Sequence, residues 1–451
     1  MALSDTERDL IRQLEIQLRD TAASDQANLN YYKGIQRVEQ LGMAVPPEMR
    51  KFLVIANWCR TTVDTINKRQ RLRALILPGQ ETADADPTLL AIATANNLPA
   101  RLKMFNRDRM IFGRSFMSVG TNHAAPELPL MRVESPRAVA ALVDETAETM
   151  TAAGRFYRLK TGPARRASHL SLMTPDATVY AERDRYGRWE EVGARDEHLF
   201  GRVPMVMHLN RRMSGEWVGE SQMSDVIPLA NSAARSLTNL QFAQEAHGIP
   251  RMWMAGVKKE DFVGADGKPI PMFEAYYDAI HMVTDPQGKI GQLTASDLKN
   301  FETALQIYGK QASTVTGFPA RYFGLTTTNP PSADAIRADE AELVSSVEDQ
   351  NEEVGMTLGW AAALAYEFAT GTEIEGNLVG VEFLDPATPT IAQREDALSK
   401  RRAQGVLSRE GYWDELGWSE PRKAKEREYL RLEDEQNPEL AAAGVLAGAS
   451  A

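Results

Sequence analysis

Apolar residues recur every three or four positions through much of this chain, and the recurrence breaks where Gly and Pro cluster. Leu10, Ile11, Leu14, Ile16 and Leu18 stand among charged residues over 5–20, which predicts an opening helix ending in a turn at Asn30–Gly34. Pro46–Pro47 introduces a helix from about Glu48 to Arg71, with Phe52, Ile55, Ala56, Cys59, Val63 and Ile66 on one face. A short apolar run then ends at Pro78–Gly79, and Thr88–Asn96 and Ala100–Phe112 read as two more helices. From Ser115 the period shortens. Ser115–Val119 reads as a strand, and Met131–Val206 is β-rich, with short runs at Arg155–Lys160, Ser168–Met173, Thr178–Arg183 and Trp189–Val192. Asp184–Gly187 predicts a hairpin turn. Arg202–Asn210 is a further strand, confined by Pro204 to an edge or to the strand's start.

The middle of the chain returns to helical spacing. Ser224–His247 is predicted as a helix capped by Ser224, with Pro228 tolerated in its first turn and Gly248–Pro250 stopping it. It spans roughly 24 residues, about 36 Å, and its apolar positions are mostly Ala. Pro250–Leu293 carries turn signals at Gly264–Gly267, Lys268–Pro269 and Asp285–Gly288, so short strands and a short helix are expected there. Ser296–Thr316 follows, opened by a capping-box-like Thr294–Asp297. Leu298, Phe301, Leu305, Tyr308, Ala312 and Val315 form an a/d seam along it, and Gly317 and Pro319 end it.

Beyond the Thr-rich loop Leu325–Pro331, a third helix is predicted from Ser332 to about Thr370. Its carboxylates Asp334, Asp339, Glu340, Glu342, Glu348, Asp349, Glu352 and Glu353 read as a solvated face, and Gly355 and Gly359 as places where it bends. A strand at Leu378–Leu384 precedes three short helices, Ile391–Gln404, Ser408–Leu416 and Ser419–Glu435. Trp413 and Trp418 are expected to anchor a small helical core, and the Ala- and Gly-rich tail after Pro438 is expected to be disordered.

With 451 residues the chain can hold roughly two to four domains. It carries 51 basic and 62 acidic residues, a formal charge of −11. Tight nucleic-acid binders draw most of their affinity from Lys and Arg, so this chain should not grip DNA, although DNA can still slide past an acidic wall. Cys59 is the single cysteine, which excludes an intrachain disulfide and a Cys-based zinc site and fits a reducing compartment. The polar Met1–Arg8 lacks a signal-peptide core, and no apolar run is long enough to span a membrane, so a soluble, intracellularly made protein with no membrane partner is expected.

Catalytic signatures are missing. Gly267–Lys268 and Gly288–Lys289 lack the rest of a phosphate-binding loop. Gly219-Glu-Ser221-Gln-Met223 has half of a nucleophile elbow, with Met223 in place of the closing Gly, so Ser221 reads as a helix-start residue. The six histidines, at 123, 169, 198, 208, 247 and 281, stand singly, and no metal or cofactor is expected.

The order and spacing of several short runs resemble the portal proteins of tailed bacteriophages, particularly siphophages of actinobacteria. The runs are Tyr31–Arg37, Pro46–Arg50, Asn57–Asp64, Gly201–Pro204, Ser224–Ala230, Phe318–Gly324 and Asn329–Arg337. They cover the chain from about Asp5 to Glu435.

The resemblance implies an α+β, portal-type fold with a mixed α/β wing, a two-helix stem, a small α/β clip and a helical crown. It places the N-terminal part of the wing at 1–220, stem helix 1 at 221–248, the clip at 249–294 and stem helix 2 at 295–317. The tunnel loop, long acidic helix and rest of the wing fall at 318–385, the crown at 386–437 and the tail at 438–451. It further implies a non-enzymatic ring, dodecameric in most of the family, at one capsid vertex of the virion and assembled in the host cytoplasm. Double-stranded DNA would pass through it during packaging and ejection. Its partners would be the large terminase, head-completion or adaptor proteins, the major capsid protein and scaffold proteins.

By the same resemblance Leu325, Thr326, Thr327, Thr328 and Asn329 form the tunnel loop, whose small uncharged side chains touch DNA without charge-assisted bonds. Arg235, Lys299 and Lys310 on the stem face either the channel or salt bridges with a neighbouring subunit. Lys258, Lys259, Lys268 and Lys289 of the clip either meet an acidic patch on the motor or are simply solvated. The other readings are a carboxylate-dependent hydrolase, for which no spacing speaks, and a different virion ring component such as an adaptor, which length argues against.

Overall fold

A computed structural model describes residues 3–36, 54–80, 86–122, 124–158, 167–198, 200–248, 252–255, 289–292, 298–325, 332–387, 391–418 and 420–436. The chain divides into two compact units, residues 1–329 with 339–386, and residues 330–338 with 387–451.

The first unit opens with α1 (Asp5–Lys33), held by a capping box in which Ser4 accepts the Glu7 N–H and the Glu7 carboxylate accepts the Ser4 N–H. The helix runs through the turn expected at Asn30 and stops at Gly34, φ 68°. No breaker intervenes before Gly34, and tertiary contacts hold the last turns: Asp25 pairs with Arg114 at 2.8 Å and the Tyr32 hydroxyl donates to Asp64 at 2.9 Å. Helix α2 (Trp58–Arg69) starts from Asn57, which accepts the Arg60 N–H; Ile55 and Ala56 precede it, and 48–53 of the expected helix lies outside the described residues. The apolar run after it is a strand, β1 (Leu72–Ile76). Helices α3 (Pro87–Ala95) and α4 (Leu98–Phe112) follow, and Gly113, φ 77°, turns the chain into β2 (Arg114–Gly120).

Strand β2 is the centre of a three-stranded antiparallel sheet between β3 (Leu130–Glu134) and a strand at Met205–Leu209. The larger sheet runs β4 (Val139–Asp144), β5 (Thr149–Tyr157), β6 (His169–Met173), β7 (Ala177–Arg183) and β8 (Trp189–Glu191) in sequence order, with β9 (Asp196–Glu197) pairing to β7. The turn at Asp184–Gly187 closes as its sequence predicts, with Gly187 at φ 83° donating to the Asp184 carbonyl at 3.0 Å. Strand β10 (Met205–Leu209) is at an edge, where Pro204 can precede it without breaking a ladder. The apolar side of α1 covers the larger sheet, through Ile11 and Leu14 on Phe156, Leu170 and Leu172.

Helix α5 (Ile227–Gly248) begins later than Ser224. Ser224 does not cap it; its hydroxyl donates to the Ser221 carbonyl at 2.9 Å inside a run of turns. Ser221 and Gln222 are both held on the Met110 carbonyl, so the chain bends before it can coil. Strands β11 (Met252–Ala255) and β12 (Lys289–Gln292) pair antiparallel. Helix α6 (Lys299–Thr316) ends at Gly317, φ 67°; its expected capping residues Thr294–Asp297 lie outside the described residues. A 3-10 turn at Ala320–Phe323 precedes α7 (Ala333–Thr370), and β13 (Gly380–Phe383) pairs antiparallel with β1.

Helix α7 is continuous through Gly355 and Gly359, where bends were expected. Gly359 admits a close neighbour instead: a Cβ there would stand 2.5 Å from the Gly376 carbonyl oxygen. One core joins Leu102 and Phe105 of α4, Met117 of β2 and Val354–Ala365 of α7; another gathers α2, the end of α4, the roots of α5 and α6, and Leu343 and Val347 of α7.

The second unit contains α8 (Ile391–Ala403), α9 (Arg409–Glu415) and α10 (Glu420–Gln436). Ser408 caps α9 through the Gly411 N–H, while Ser419 lies outside the described residues. Trp413 is buried and stacks on Trp418 at 5.6 Å, and Arg427 grips Glu410 through two bonds of 2.8 and 2.7 Å.

Candidate DNA conduit and docking elements

Helices α5 and α6 pack against each other. Their inward positions are small: Ala230, Ala233 and Ala234 are buried on α5, and Gly309 and Ala312 on α6. Small side chains let helix axes approach closely. The outer side of α6 carries Thr303, Gln306, Ile307, Lys310, Gln311 and Thr314 to solvent, with Glu302 the single exposed carboxylate. The predicted seam holds from Phe301 to Ala312, but Val315 is 49% exposed. A straight helix drifts by about 20° per heptad from a 3.5-residue repeat, so a seam set at Leu298 has rotated off the contact by Val315.

The Thr-rich loop is rooted firmly at both ends. Leu325 packs over Gly309 of α6: a Cβ there would lie 3.2 Å from the Leu325 side chain. Before the loop, Arg321 pairs with both Asp339 and Glu340, which follow it on α7. The Glu340 carboxylate also takes Arg69 at 3.0 Å and the Tyr322 hydroxyl at 3.0 Å, and Arg69 reaches the Pro386 carbonyl at 2.7 Å. Glu342, one turn on from Asp339, lies over Gly317 at the end of α6. The acidic face of α7 is thus not uniformly solvated. Asp339 and Glu340 bolt the loop's flanks together, and Glu348, Asp349, Glu352 and Glu353 remain exposed.

The chain entering α5 is bolted to α4 and β10. Asn210 donates its backbone N–H to the Gly113 carbonyl at 2.8 Å and accepts the Glu220 N–H at 2.8 Å. Gly219 and Gly113 lie backbone against backbone; a Cβ on Gly219 would fall 1.8 Å from the Gly113 oxygen. Beneath them Arg109 is fully buried and donates to Asn210 at 2.6 Å, Gln70 at 2.9 Å and Gln350 at 2.9 Å. Burial pulls its pKa down to about 10, so it stays charged at neutral pH.

Among the singled-out residues, Lys299 and Lys310 are exposed on one face of α6, eleven positions or three helical turns apart. Arg235 is half-buried on α5 and donates to Ser232 of its own helix at 3.3 Å. Lys289 is exposed at the start of β12. Thr326, Thr327, Thr328, Asn329, Lys258, Lys259 and Lys268 lie outside the described residues. The Arg321–Glu340–Arg69 clamp escaped sequence reading, since its partners are far apart and only the carboxylate run hints at it.

The near-misses keep structural roles. Ser221 is buried and hydrogen-bonds the Met110 carbonyl at 3.1 Å. Burial pushes the Cys59 thiol up to about 12, leaving no thiolate nucleophile at neutral pH. The described residues contain no group of His, Cys, Asp and Glu placed to hold a metal ion. The cleft beside Thr21, Arg114, Phe116 and Trp217 is lined by no carboxylate. Among the described residues no helix is long and apolar enough to cross a membrane.

Two packed helices, and the clamped flanks of the loop that follows them, are thus set in an α+β body. The chain belongs to the family described as phage portal protein, SPP1 Gp6-like, whose model matches residues 23–439. It is 31% identical over 442 residues to the portal protein of Mycobacterium phage L5, covering 95% of this chain and 88% of that one. It is 32% identical over 422 residues to the portal protein of Mycobacterium phage D29, covering 91% and 85%. Among solved structures it is similar to a chain from the neck of a native GTA particle, with TM-score 0.45, 14% identity, and 83% and 94% of the two chains covered.

Proposed function

We propose that copies of this chain form a closed ring, dodecameric as is usual in the family, at one vertex of a phage capsid. Double-stranded DNA passes through the ring during packaging and ejection. The protein is structural and catalyses no reaction. Residues 1–220 and 318–385 act as the wing with the tunnel loop, 221–248 and 295–317 as the stem, 249–294 as the clip and 386–437 as the crown. Leu325–Asn329 narrow the channel. The clip, with Lys258, Lys259, Lys268 and Lys289, docks the large terminase and then head-completion proteins. Capsid and scaffold proteins meet the ring's outer surface during assembly in the host cytoplasm.

The observation that carries this reading is the clamp at the loop's roots. Arg321, Asp339 and Glu340 tie the two flanks of a short uncharged loop together at the base of a helix pair. A loop fixed at both roots holds its tip at a set radius in a ring. The formal charge of −11 suits a wall past which DNA slides. Lys299 and Lys310, on one face of α6, are placed either to touch the duplex or to pair with a neighbouring subunit, and Arg235 serves the same stem.

Electron microscopy of the purified protein tests the ring: particles with a central hole are expected, and a monomer at micromolar concentration overturns it. Replacing Thr326–Asn329 with acidic residues should lower packaged DNA several-fold while rings persist. Unchanged packaging would remove the loop from the channel.

A further inference from the structure

We infer that Arg69 is a stop between two units of unfolding: it lets the second unit open while the first stays closed. The stop acts within a single chain, whether or not copies assemble. The units differ in what holds them. The first has apolar cores around Leu102, Phe105 and Met117 and around Leu343 and Val347. In the second, Leu398, Trp413 and Lys423 are the buried side chains among the described residues, on helices rich in charge. A unit with so small a core opens more readily than one with a large core.

Among the described residues the chain passes between the units at two places. Helix α7 crosses as one continuous helix between Ala338 and Asp339, and the chain crosses again between Pro386 and Ala387. Unravelling of the first unit would start at either place. A helix frays from its first turn, whose N–H groups lack helical acceptors. Strand β13 pairs with β1 in a two-stranded sheet, so it peels from the end nearest Pro386. One guanidinium closes both routes. Arg69 Nη1 donates to the Pro386 carbonyl at 2.7 Å. Its Nη2 stands 3.0 Å from the Glu340 carboxylate and donates to the Tyr322 hydroxyl at 3.2 Å. Arg321 adds a second hold on Asp339 and Glu340. Arg69 ends α2 two residues ahead of Arg71, whose carbonyl accepts the Leu384 N–H at 2.8 Å. The bond to Pro386 therefore lies at the open end of the β1–β13 zipper, where peeling would begin. The side chains of Arg69 and Glu340 are 13% and 9% exposed, so solvent screens the pair little.

Native-state hydrogen exchange of the full-length protein, followed by mass spectrometry in low urea, tests the stop. In wild type the amides of 391–436 should be at least tenfold less protected than those of 380–384 and 344–350. In R69M, protection of 380–384 should fall at least tenfold, to the level of 391–436, while 114–120 in β2 keeps its wild-type protection. R69M/E340Q removes both charges, leaves no bare carboxylate, and should show the same change at 380–384; it carries the test if R69M does not fold. Three results overturn the inference: wild-type amides of 380–384 that already exchange with 391–436, variants whose 380–384 protection is unchanged, or a loss in the variants that extends equally to 114–120. The last would make Arg69 a general prop of the fold. None of these readouts depends on whether rings form.

Discussion

The guanidinium of Arg109 donates to Asn210 Oδ1 at 2.6 Å, joining the middle of α4 to the end of the edge strand β10 just ahead of α5. Both residues are fully buried, and Gln70 and Gln350 complete the cage. A charge in this position is tolerable only while its donors are matched. Asn210→Ala removes one acceptor and leaves the charge in place. It should cost about 2–3 kcal/mol, read as a lowered urea midpoint of unassembled protein. An unchanged midpoint would show that the cage is not what stabilises this junction.

Gly219 and Gly113 make the neighbouring junction. The atom that a Cβ on Gly219 would strike is backbone oxygen, 1.8 Å away, and no side-chain rotation relieves it. Gly219→Ala should therefore damage the junction leading into α5 more than Gly193→Ala, which meets no atom within 4 Å, although Gly193 carries its own strain at φ 82°. The expected pattern is little soluble protein for the first and near-normal yield for the second. Equal yields would contradict the close packing.

Glu340 joins Arg69, Arg321 and Tyr322 around the roots of the Thr-rich loop. Glu340→Gln keeps the shape and removes the charge, leaving Arg321 with Asp339 alone. The half-buried pair should lose about 1–3 kcal/mol of local stability, and thermolysin should cut beside Leu325 several-fold faster. Cleavage at the wild-type rate would mean the loop is held by something other than this clamp.

His208 is buried on β10, with Nδ1 3.0 Å from the Thr357 hydroxyl. Burial, with Arg109 nearby, pulls its pKa down from 6.5 to about 3. The unfolded chain takes a proton below about pH 6.5 while the folded chain does not, so this stability is intact above that pH and falls toward pH 3. The slope is at most about 1.4 kcal/mol per pH unit. The stability gap between wild type and His208→Gln should narrow from pH 6.5 to 4; a gap independent of pH would show that His208 titrates normally.

The outcome for individual elements separates what is local from what is not. Asp184–Gly187 was readable because a hairpin turn depends on its own four residues. Helix α7 was readable to within a residue at either end, since Ser332 marks its start and a long run without Pro carries it to Thr370. Ser224 misled because capping depends on whether the chain is free to coil, and Met110, more than a hundred residues earlier, holds it in a turn. Gly359 misled for a related reason: its missing side chain accommodates the packed backbone of Gly376, which local propensity does not register. Of the candidate site, the helices α5 and α6 were legible as helices; the clamp was not, because Arg69 and Glu340 are brought together only by folding.

Sequence alone determined which stretches coil and which extend, and placed turns such as Asp184–Gly187, since periodicity, caps and breakers act within a few residues. It also set the acidic balance and the single buried thiol. Only the tertiary structure decided that Glu340 is a tie while Glu352 is exposed, and that Gly219 must be glycine. Those outcomes depend on which helix faces meet, and packing of residues distant in the chain settles that.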